Sequence, residues 1–236
     1  MKKCTAIVLS AGKGKRMGTD KPKQYLDLCG KPVLYYSLKA FQNSFIDEIV
    51  IVASGSDFSF IKEEIIDRHG LNKAVKIVEG GAERYDSVLN GLRAAGGCDY
   101  VFIHDGARPF IDDEILKRAY DTVVKYGTAI VAVPSKDTVK LVEEGVSVDT
   151  PDRSRVWLMQ TPQVFRYEEI LNAYEKMKEA ENLLESDGVK VTDDAMVMEY
   201  FGELPVHVSA GSYRNIKITT PEDMIIANAF LNSINI

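Results

Sequence analysis

Hydrophobic residues along this chain gather in five short and almost continuous runs. The runs lie at 5–9, 48–53, 75–78, 100–104 and 128–133. A strand that is apolar on both faces is usually covered on both sides, as the strands of a parallel sheet are by the helices that connect them. The pattern therefore predicts five buried strands in a mostly parallel sheet.

Apolar residues recur at helical spacing between these runs. The clearest case lies between the fourth and fifth runs, where they form a single stripe behind the acidic residues 112–114, which favour the start of a helix. The stripe consists of Ile115, Leu116, Ala119, Tyr120, Val123 and Val124. Alternating strands and helices predict an α/β fold with a doubly wound sheet and right-handed crossovers. In such sheets ligands bind at the carboxyl ends of the strands.

The pattern changes from residue 134 onwards. Short alternating runs at 138–142 and 156–159 lie on either side of the turn-forming sequence Glu143-Glu144-Gly145, which predicts a β-hairpin outside the main sheet. Helical patterns return at 167–180, 194–200 and 221–231, the last with Thr220 as the expected N-cap and Pro221 at the first helical position. We predict a single domain over residues 1–236 with a protruding arm at about 134–163.

Composition narrows the choice of partners and compartment. The 236-residue chain has a formal net charge of −6 and a sequence pI of about 5.2, so we expect no nucleic-acid partner. No stretch approaches the ~20 apolar residues of a membrane span, and no signal-peptide pattern follows the first residues. The three cysteines are widely spaced and odd in number, which favours a reducing compartment and predicts a cytoplasmic protein.

The first apolar run leads into the glycine-rich segment LSAGKGKRMG at 9–18. Glycine-rich turns after a buried strand commonly bind phosphate. This one, however, misses the G-x-G-x-x-G spacing of a dinucleotide-binding site by one residue. Pro22 also interrupts the helix that should follow in such a site. The segment also lacks the Gly-Lys-Ser/Thr ending of a P-loop. Five cations crowd this stretch of an acidic chain and favour an anion site. They are Lys13, Lys15, Arg16, Lys21 and Lys23.

The same segment, with Pro22-Lys23-Gln24-Tyr25 after it, resembles the opening signature of the sugar nucleotidyltransferases, and its PKQY form resembles the polyol-phosphate cytidylyltransferases. Seven further motifs follow in that family's order. They are GGAERYDSVLNGL (80–92), HDGARPF (104–110), DTVK (137–140), PDR (151–153), QTPQVF (160–165), TDDA (192–195) and GSYRNIKITTPED (211–223). Within the family, they are most similar to the 2-C-methyl-D-erythritol 4-phosphate cytidylyltransferases. The ribitol 5-phosphate cytidylyltransferases are the alternative.

The resemblance implies a Rossmann-like nucleotidyltransferase fold and a reaction between CTP and a polyol phosphate. An oxygen of the polyol phosphate would attack the α-phosphorus of CTP, and pyrophosphate would leave. Catalysis would then consist mostly of positioning and charge stabilisation. A non-catalytic nucleotide-binding protein is a less favoured alternative, because Arg16, Lys23, Asp105 and Lys217 are all present.

Residue roles also follow from the resemblance. Arg16, Lys23 and Lys217 would be catalytic, and Asp105 would hold Mg²⁺ or another divalent cation. The expected CTP-binding residues are Ser10, Ala11, Gly12, Gly14, Gly80, Gly81, Arg84, Ser87, Asp105 and Gly106. Ala82 stands where some members of the family carry Asp, which bears on the recognition of the pyrimidine. We assign no role to His104.

The polyol phosphate would contact a further group of residues, several of them on the expected arm. They are Arg108, Thr138, Arg153, Thr161 and Thr192. In the family the arm reaches into a neighbouring subunit, which implies a homodimer. Trp157 and its apolar neighbours 156–159 on an arm outside the sheet would be exposed in a monomer, and exposed apolar patches commonly mark contacts.

Overall fold

The structure is a computed structural model that describes residues 2–12, 14, 17–18, 21–181, 188 and 190–234. All five apolar runs form strands within it. In chain order the strands are β1 (Cys4–Leu9), β2 (Asp27–Leu28), β3 (Lys31–Pro32), β4 (Glu48–Ala53), β5 (Ala74–Glu79), β6 (Tyr100–Asp105), β7 (Thr128–Pro134), β8 (Leu141–Glu143), β9 (Val146–Asp149), β10 (Trp157–Arg166) and β11 (Val208–Ala210).

The helices fall between the strands as the apolar spacing predicts. They are α1 (Val33–Gln42), α2 (Phe58–Phe60, continued by a π-helical stretch Ile61–Asp67), α3 (Arg84–Ala94), α4 (Asp113–Tyr126), α5 (Tyr167–Glu179), α6 (Asp194–Phe201) and α7 (Pro221–Ile234). Short 3₁₀ turns span Lys23–Tyr25, Gly55–Asp57 and Arg153–Arg155. None of the helices in the described ranges is long and apolar enough to cross a membrane.

Seven strands form the central sheet in the order β11-β7-β10-β6-β1-β4-β5. All neighbouring pairs are parallel except those made by β10, which runs antiparallel to both β6 and β7. This confirms the prediction of a doubly wound, mostly parallel α/β sheet. Because β1 and β6 are neighbours near the middle of the sheet, the loops at their carboxyl ends meet at one edge, where open α/β sheets bind ligands.

Each face of the sheet is covered by helices, which explains the continuous apolar runs. In β1, Ala6 and Val8 pack into a core with α1 and α4, whereas Ile7 on the opposite face packs into a second core with α3, α5 and α6. A smaller third cluster places Ile218 and Ala227 against Leu28. This cluster anchors the chain just before α7 to the rest of the molecule.

Helix α4 shows how local sequence sets an element's limits. The carboxylate of Asp112 accepts a hydrogen bond from the amide of Ile115 at 2.8 Å, which caps the N-terminus. At the other end, Gly127 adopts φ = 84°, a left-handed conformation that is easy for glycine and ends the helix.

The arm is shorter than the sequence pattern predicts. Strands β8 and β9 pair as a separate two-stranded sheet around Glu144-Gly145, and both turn residues have positive φ, as in a type I′ hairpin. The expectation that 156–159 lie outside the main sheet was wrong for 157–159, because these three residues begin β10 and pair with β7. The first three residues of β10 are exposed and the next six are buried. This strand therefore extends from the arm's base into the core.

Candidate active site

A cleft of about 540 Å³ opens at the carboxyl ends of β1 and β6 and at the start of α3. It gathers residues from motifs that are far apart in the sequence. Its lining consists of Leu9, Ser10, Ala11, Gly12, Gly14, Lys23, Gln24, Gly81, Ala82, Glu83, Arg84, Ser87, Asp105, Ala107 and Lys217. Most of the predicted CTP-binding residues, together with Lys23 and Lys217, thus share one cavity. The predicted catalytic residue Arg16 lies outside the described residues, as do Lys13 and Lys15.

The glycine loop is held in place by the motif that follows it. The buried amide of Gln24 donates to the carbonyl oxygens of Ser10 at 2.6 Å and Gly12 at 3.1 Å. The hydroxyl of Ser10 donates to that of Tyr25 at 3.2 Å. At Gly14, where φ is 60°, a Cβ would lie 3.2 Å from Cγ of Lys23. Gln24 and Tyr25 therefore shape the loop. Both residues belong to the PKQY motif, and this role of theirs depends on contacts that the motif does not reveal.

Two adjacent glycines let the β5–α3 junction approach the glycine loop. A Cβ on Gly80 would lie 2.5 Å from the Cβ of Ala11 and 3.0 Å from Oγ of Ser87. The amide of Gly81 donates to the same Oγ at 3.0 Å. Helix α3 then starts after Glu83 in a reciprocal capping arrangement with Asp86. The N-terminus of this helix faces the cleft, where its free amides and dipole favour an anion.

Asp105 lies on the floor of the cleft among three cations. Its carboxylate is 2.7 Å from Nζ of Lys217, 3.7 Å from Nε of Arg84 and 3.9 Å from Nε of Arg108. Burial alone would raise the pKa of the Asp105 carboxyl, but the three cations outweigh burial and lower this pKa well below its ordinary value. The carboxylate therefore stays ionised throughout the neutral range. Gly106 follows it directly, and a Cβ there would lie 2.9 Å from the carbonyl oxygen of Leu9.

Arg84 is positioned from behind by a buried acid. Its two terminal nitrogens each donate to an oxygen of Asp194 at 2.8 Å, and the hydroxyl of Tyr174 donates to the same carboxylate at 2.5 Å. Both Asp194 and Tyr174 are completely buried. A bidentate pair of this kind fixes the guanidinium plane. Asp194 belongs to the TDDA motif, and its pairing with Arg84, 110 residues earlier in the chain, is a functional contact that the motif does not reveal.

A second buried group connects the Asp105 turn with the segment that carries Lys217. Asn215 donates from Nδ2 to the carbonyl oxygen of Thr161 at 2.9 Å, and its own carbonyl accepts from Nη1 of Arg108 at 2.8 Å. Ile218 donates from its amide to the carbonyl of Ala107 at 2.9 Å. Asn215 is therefore a structural hub that precedes Lys217 by two positions.

The residues expected to bind the polyol phosphate are more dispersed. Thr161 is buried and Arg108 is half-buried beside Asp105, and both use their side chains in internal hydrogen bonds. Thr138, Arg153 and Thr192 are exposed and lie outside the cleft lining in this single chain. Arg153 donates to the carbonyl of Lys136 at 3.2 Å, at the base of the arm.

The donor set at the cleft suits a metal ion only in part. Among the described residues, no group of three or more His, Cys, Asp or Glu side chains could hold a metal ion. Mg²⁺, however, commonly takes one or two carboxylates and completes its shell with water and substrate phosphates. The ionised carboxylate of Asp105 fits a cation that is held jointly with a triphosphate.

The fold and the cleft define the class of protein. A doubly wound sheet that presents a glycine loop, a helix N-terminus and several cations around one carboxylate at its carboxyl edge is a nucleotide-binding α/β protein of the nucleotidyltransferase kind.

Comparison with known proteins identifies the family. A family model described as 2-C-methyl-D-erythritol 4-phosphate cytidylyltransferase matches residues 4–233. The protein of that name from Lachnoclostridium phytofermentans is 48% identical over 98% of this chain and 97% of its own length, and the one from Geotalea uraniireducens is 47% identical over 98% and 97%. The chain belongs to the 2-C-methyl-D-erythritol 4-phosphate cytidylyltransferase family and is a cytidylyltransferase.

Solved structures agree with this assignment. The crystal structure of 4-diphosphocytidyl-2C-methyl-D-erythritol synthase from Anaerococcus prevotii is 35% identical, covers 98% of this chain and 96% of its own, and superposes with a TM-score of 0.84. The 2-C-methyl-D-erythritol 4-phosphate cytidylyltransferase from Thermus thermophilus is 27% identical, covers 96% and 98%, and has a TM-score of 0.75. Nearly the whole length of the chain therefore matches the family's fold.

Proposed function

We propose that this cytidylyltransferase transfers the cytidylyl group of CTP to 2-C-methyl-D-erythritol 4-phosphate, as a step of the non-mevalonate route to isoprenoid precursors. A phosphate oxygen of the polyol forms a bond to the α-phosphorus of CTP, and the bond from that phosphorus to the β-phosphate oxygen breaks. The products are 4-diphosphocytidyl-2-C-methyl-D-erythritol and pyrophosphate. The observation that carries the proposal is the cluster of Lys217, Arg84 and Arg108 around Asp105, on the floor of a cleft rimmed by the glycine loop.

Lys23 and Lys217, together with Arg16, neutralise the charge that develops on the α-phosphate during the transfer. Cations that are already in place when the charge develops accelerate such a step without reorganisation. The side chain of Lys217 is 38% exposed although it contacts Asp105, and it lines the cleft, so it is accessible to a phosphate bound there. Mg²⁺ or another divalent cation bound at Asp105 would supply further charge neutralisation on the triphosphate.

The cytosine is recognised at the β5–α3 junction, mainly by backbone groups of Gly80, Gly81 and Ala82. The hydroxyl of Ser87 braces this turn, because it accepts from Gly81 and donates to the carbonyl of Glu83 at 3.2 Å. Arg84 uses both terminal nitrogens on Asp194, so its contribution to CTP binding is to hold the floor of the cleft. Recognition through the backbone also makes Ala82 compatible with selectivity for a pyrimidine.

The polyol phosphate is bound with the help of a second subunit. Thr138 and Arg153 lie at the base of the exposed arm and outside the cleft of their own chain. The hairpin 141–149 exposes apolar side chains in a patch of the kind that marks contacts. They are Leu141, Val142, Val146 and Val148. We propose a homodimer in which each arm brings Arg153 and Thr138 to the partner's cleft, with Thr192 and Arg108 completing the site.

The proposal is tested by pyrophosphate release from CTP and Mg²⁺, with 2-C-methyl-D-erythritol 4-phosphate and ribitol 5-phosphate compared at equal concentrations. We expect release with the first polyol and at least a hundredfold lower kcat/KM with the second. A preference for ribitol phosphate would replace the proposed substrate. CTP binding without release with either polyol would favour the non-catalytic alternative. We place the reaction in the cytoplasm, in keeping with three cysteines that are all free thiols.

A further inference from the structure

His104 is a completely buried, titratable side chain directly before Asp105, and the roles proposed above leave it unused. It is the residue before the last one of β6, and the ring of Phe41 packs against it edge-on, with 5.3 Å between the ring centroids. Both of its ring nitrogens have polar neighbours. Nδ1 lies 3.0 Å from Oγ1 of Thr161, and Nε2 lies 3.2 Å from the carbonyl oxygen of Arg108.

Thr161 occupies a gap in the sheet beside Asp105. The ladder between β6 and β10 runs from Arg166 to Gln163, which pairs with Ile103, and the register of β10 is irregular between Met159 and Gln163. The amide of Asp105 therefore has no backbone acceptor from the ladder on this side. It donates instead to Oγ1 of Thr161 at 3.1 Å. The hydroxyl replaces a missing strand carbonyl, as a buried amide requires.

The direction of each hydrogen bond follows from the chemistry of the groups. A carbonyl oxygen only accepts, so Nε2 of His104 carries the hydrogen that points to Arg108. The oxygen of Thr161 accepts from the amide of Asp105, and its single proton has Nδ1 of His104 as its acceptor. The hydrogen bonds therefore form a series in which each group donates to the next, from the amide of Asp105 through Thr161 and His104 to the carbonyl of Arg108.

We propose that His104, as the Nε2–H tautomer, is a positioning residue that orients the Thr161 hydroxyl and thereby holds Asp105 and its cation cluster in place for CTP. This inference rests on the proposed cytidylyl transfer. It also gives Thr161 a role different from the direct polyol contact implied by the family resemblance. The buried hydroxyl acts on the reaction through Asp105.

Two substitutions at His104 separate this role from general support of the core. Asn places an amide near the position of Nδ1 and can still accept from Thr161, whereas Gln reaches the position of Nε2 and can still donate to Arg108. Each variant loses one hydrogen bond, so a purely structural role predicts similar losses in both. We expect His104→Asn to retain at least tenfold more kcat/KM for CTP than His104→Gln, at comparable melting temperatures. Equal activities, or the reverse order, would overturn the proposal.

The hydroxyl of Thr161 is tested by a matched pair. We expect Thr161→Val, which keeps the shape and removes the hydroxyl, to lower kcat/KM for CTP at least tenfold relative to Thr161→Ser. Thr122→Val is the control, because it also removes one hydroxyl that bonds a backbone carbonyl, on the outer helix α4 at 2.8 Å from the carbonyl of Arg118. Similar activities for the Val and Ser variants at 161 would contradict the proposal.

The tautomer provides a readout that does not depend on activity. In ¹⁵N-labelled wild-type protein, we expect the His104 ring to show a protonated Nε2 and a bare Nδ1 that accepts a hydrogen bond. The signal is assigned by its loss in His104→Asn, since the chain has only two other histidines, His69 and His207. A protonated Nδ1 would overturn the proposal even in an active enzyme. An inactive wild-type protein with the expected tautomer would instead count against the proposed function.

Discussion

The ammonium group of Lys217 lies 2.7 Å from Oδ2 of Asp105, and this contact joins the segment before α7 to the end of β6 on the floor of the cleft. The position of Lys217 is also fixed by its neighbours in the sequence. Asn215 donates a hydrogen bond to Thr161 of β10, and Ile218 donates one to Ala107 in the turn after Asp105. A cation held in this way is already in place when phosphate charge develops.

Removing either proposed phosphate-binding lysine should abolish most of the turnover. We expect Lys217→Ala and Lys23→Ala each to lower kcat by about 100-fold or more, the size of effect seen when one charge-stabilising donor is lost. Steady-state pyrophosphate release measures the change, and circular dichroism verifies the fold. Lys117→Ala is the control, since that lysine lies on the exposed face of α4, outside the cleft, and pairs with Asp113 one turn away. Near-normal turnover in either cleft variant would contradict the proposed roles.

Neutralising Asp105 should weaken the response to the metal. Asp105→Asn keeps the side-chain shape but removes the carboxylate that lies among the three cations Lys217, Arg84 and Arg108. We expect the Mg²⁺ concentration for half-maximal activity to rise at least tenfold, since Mg²⁺ depends on carboxylate oxygens for its protein contacts. A magnesium titration at saturating CTP tests this. If the midpoint stays where it is in the wild type, Asp105 does not hold the metal.

The Arg84–Asp194 pair should matter for stability as well as for the cleft. Asp194→Asn would remove the buried charge that faces Arg84 and the hydroxyl of Tyr174, and would leave Arg84 with its longer contact of 3.7 Å to Asp105. Breaking such a pair costs about 3 kcal/mol in the free energy of unfolding. Urea denaturation measures the loss. Glu64→Gln removes an exposed pair with Arg68 and should cost under about 0.5 kcal/mol. Equal losses in the free energy of unfolding would show that the buried pair contributes no more to stability than the exposed pair.

A methyl group at Gly80 should impair CTP binding through a steric effect. The added Cβ would lie 2.5 Å from the Cβ of Ala11, so the glycine loop and the β5–α3 junction must separate. We expect Gly80→Ala to raise KM for CTP about tenfold or more with a smaller change in stability. At Gly96, a Cβ would meet only ordinary contacts, the nearest at 3.7 Å, so Gly96→Ala should leave KM unchanged. A wild-type KM in Gly80→Ala would mean that CTP binding does not require the close contact between the glycine loop and the β5–α3 junction.

The arm should mediate dimerisation. Val146 is 65% exposed in the single chain, so Val146→Asp should leave the fold of a monomer intact while it breaks an apolar contact between subunits. We expect sedimentation velocity to show a dimer for the wild type and a monomer for the variant. The exposed Glu144→Gln on the same turn is the matched control and should remain dimeric. A monomeric wild type would exclude the proposed assembly.

Sharing of the site between subunits has its own test. Arg153→Ala should mainly raise KM for the polyol phosphate. When it is mixed and re-equilibrated with Lys217→Ala, hybrid dimers carry one cleft with both residues intact if Arg153 acts across the interface. Activity above the sum of the two separate variants is the expected result. If the activity of the mixture equals the sum of the two separate activities, Arg153 acts in the site of its own chain.

Much of this architecture could be predicted because its signals are local. The five apolar runs and the 3.6-residue stripes coincide with strands and helices, since burial on one or both faces is imposed residue by residue along an element. The cap at Asp112 and the left-handed Gly127 likewise depend only on neighbouring atoms. The motifs were also sufficient to indicate which segments meet at the cleft, because strand ends of a parallel sheet share one edge.

The sequence by itself thus determined the α/β class, the order of the elements and the family of the chain. Only the tertiary structure decided that β10 pairs between β6 and β7, that Asp194 binds the terminal nitrogens of Arg84, and that His104 and Thr161 complete the sheet behind Asp105. These relationships join residues far apart along the chain. The periodicity of apolar residues does not show which distant residue will bond a buried donor or acceptor. The packed structure decides this, because a buried polar group must have a hydrogen-bond partner.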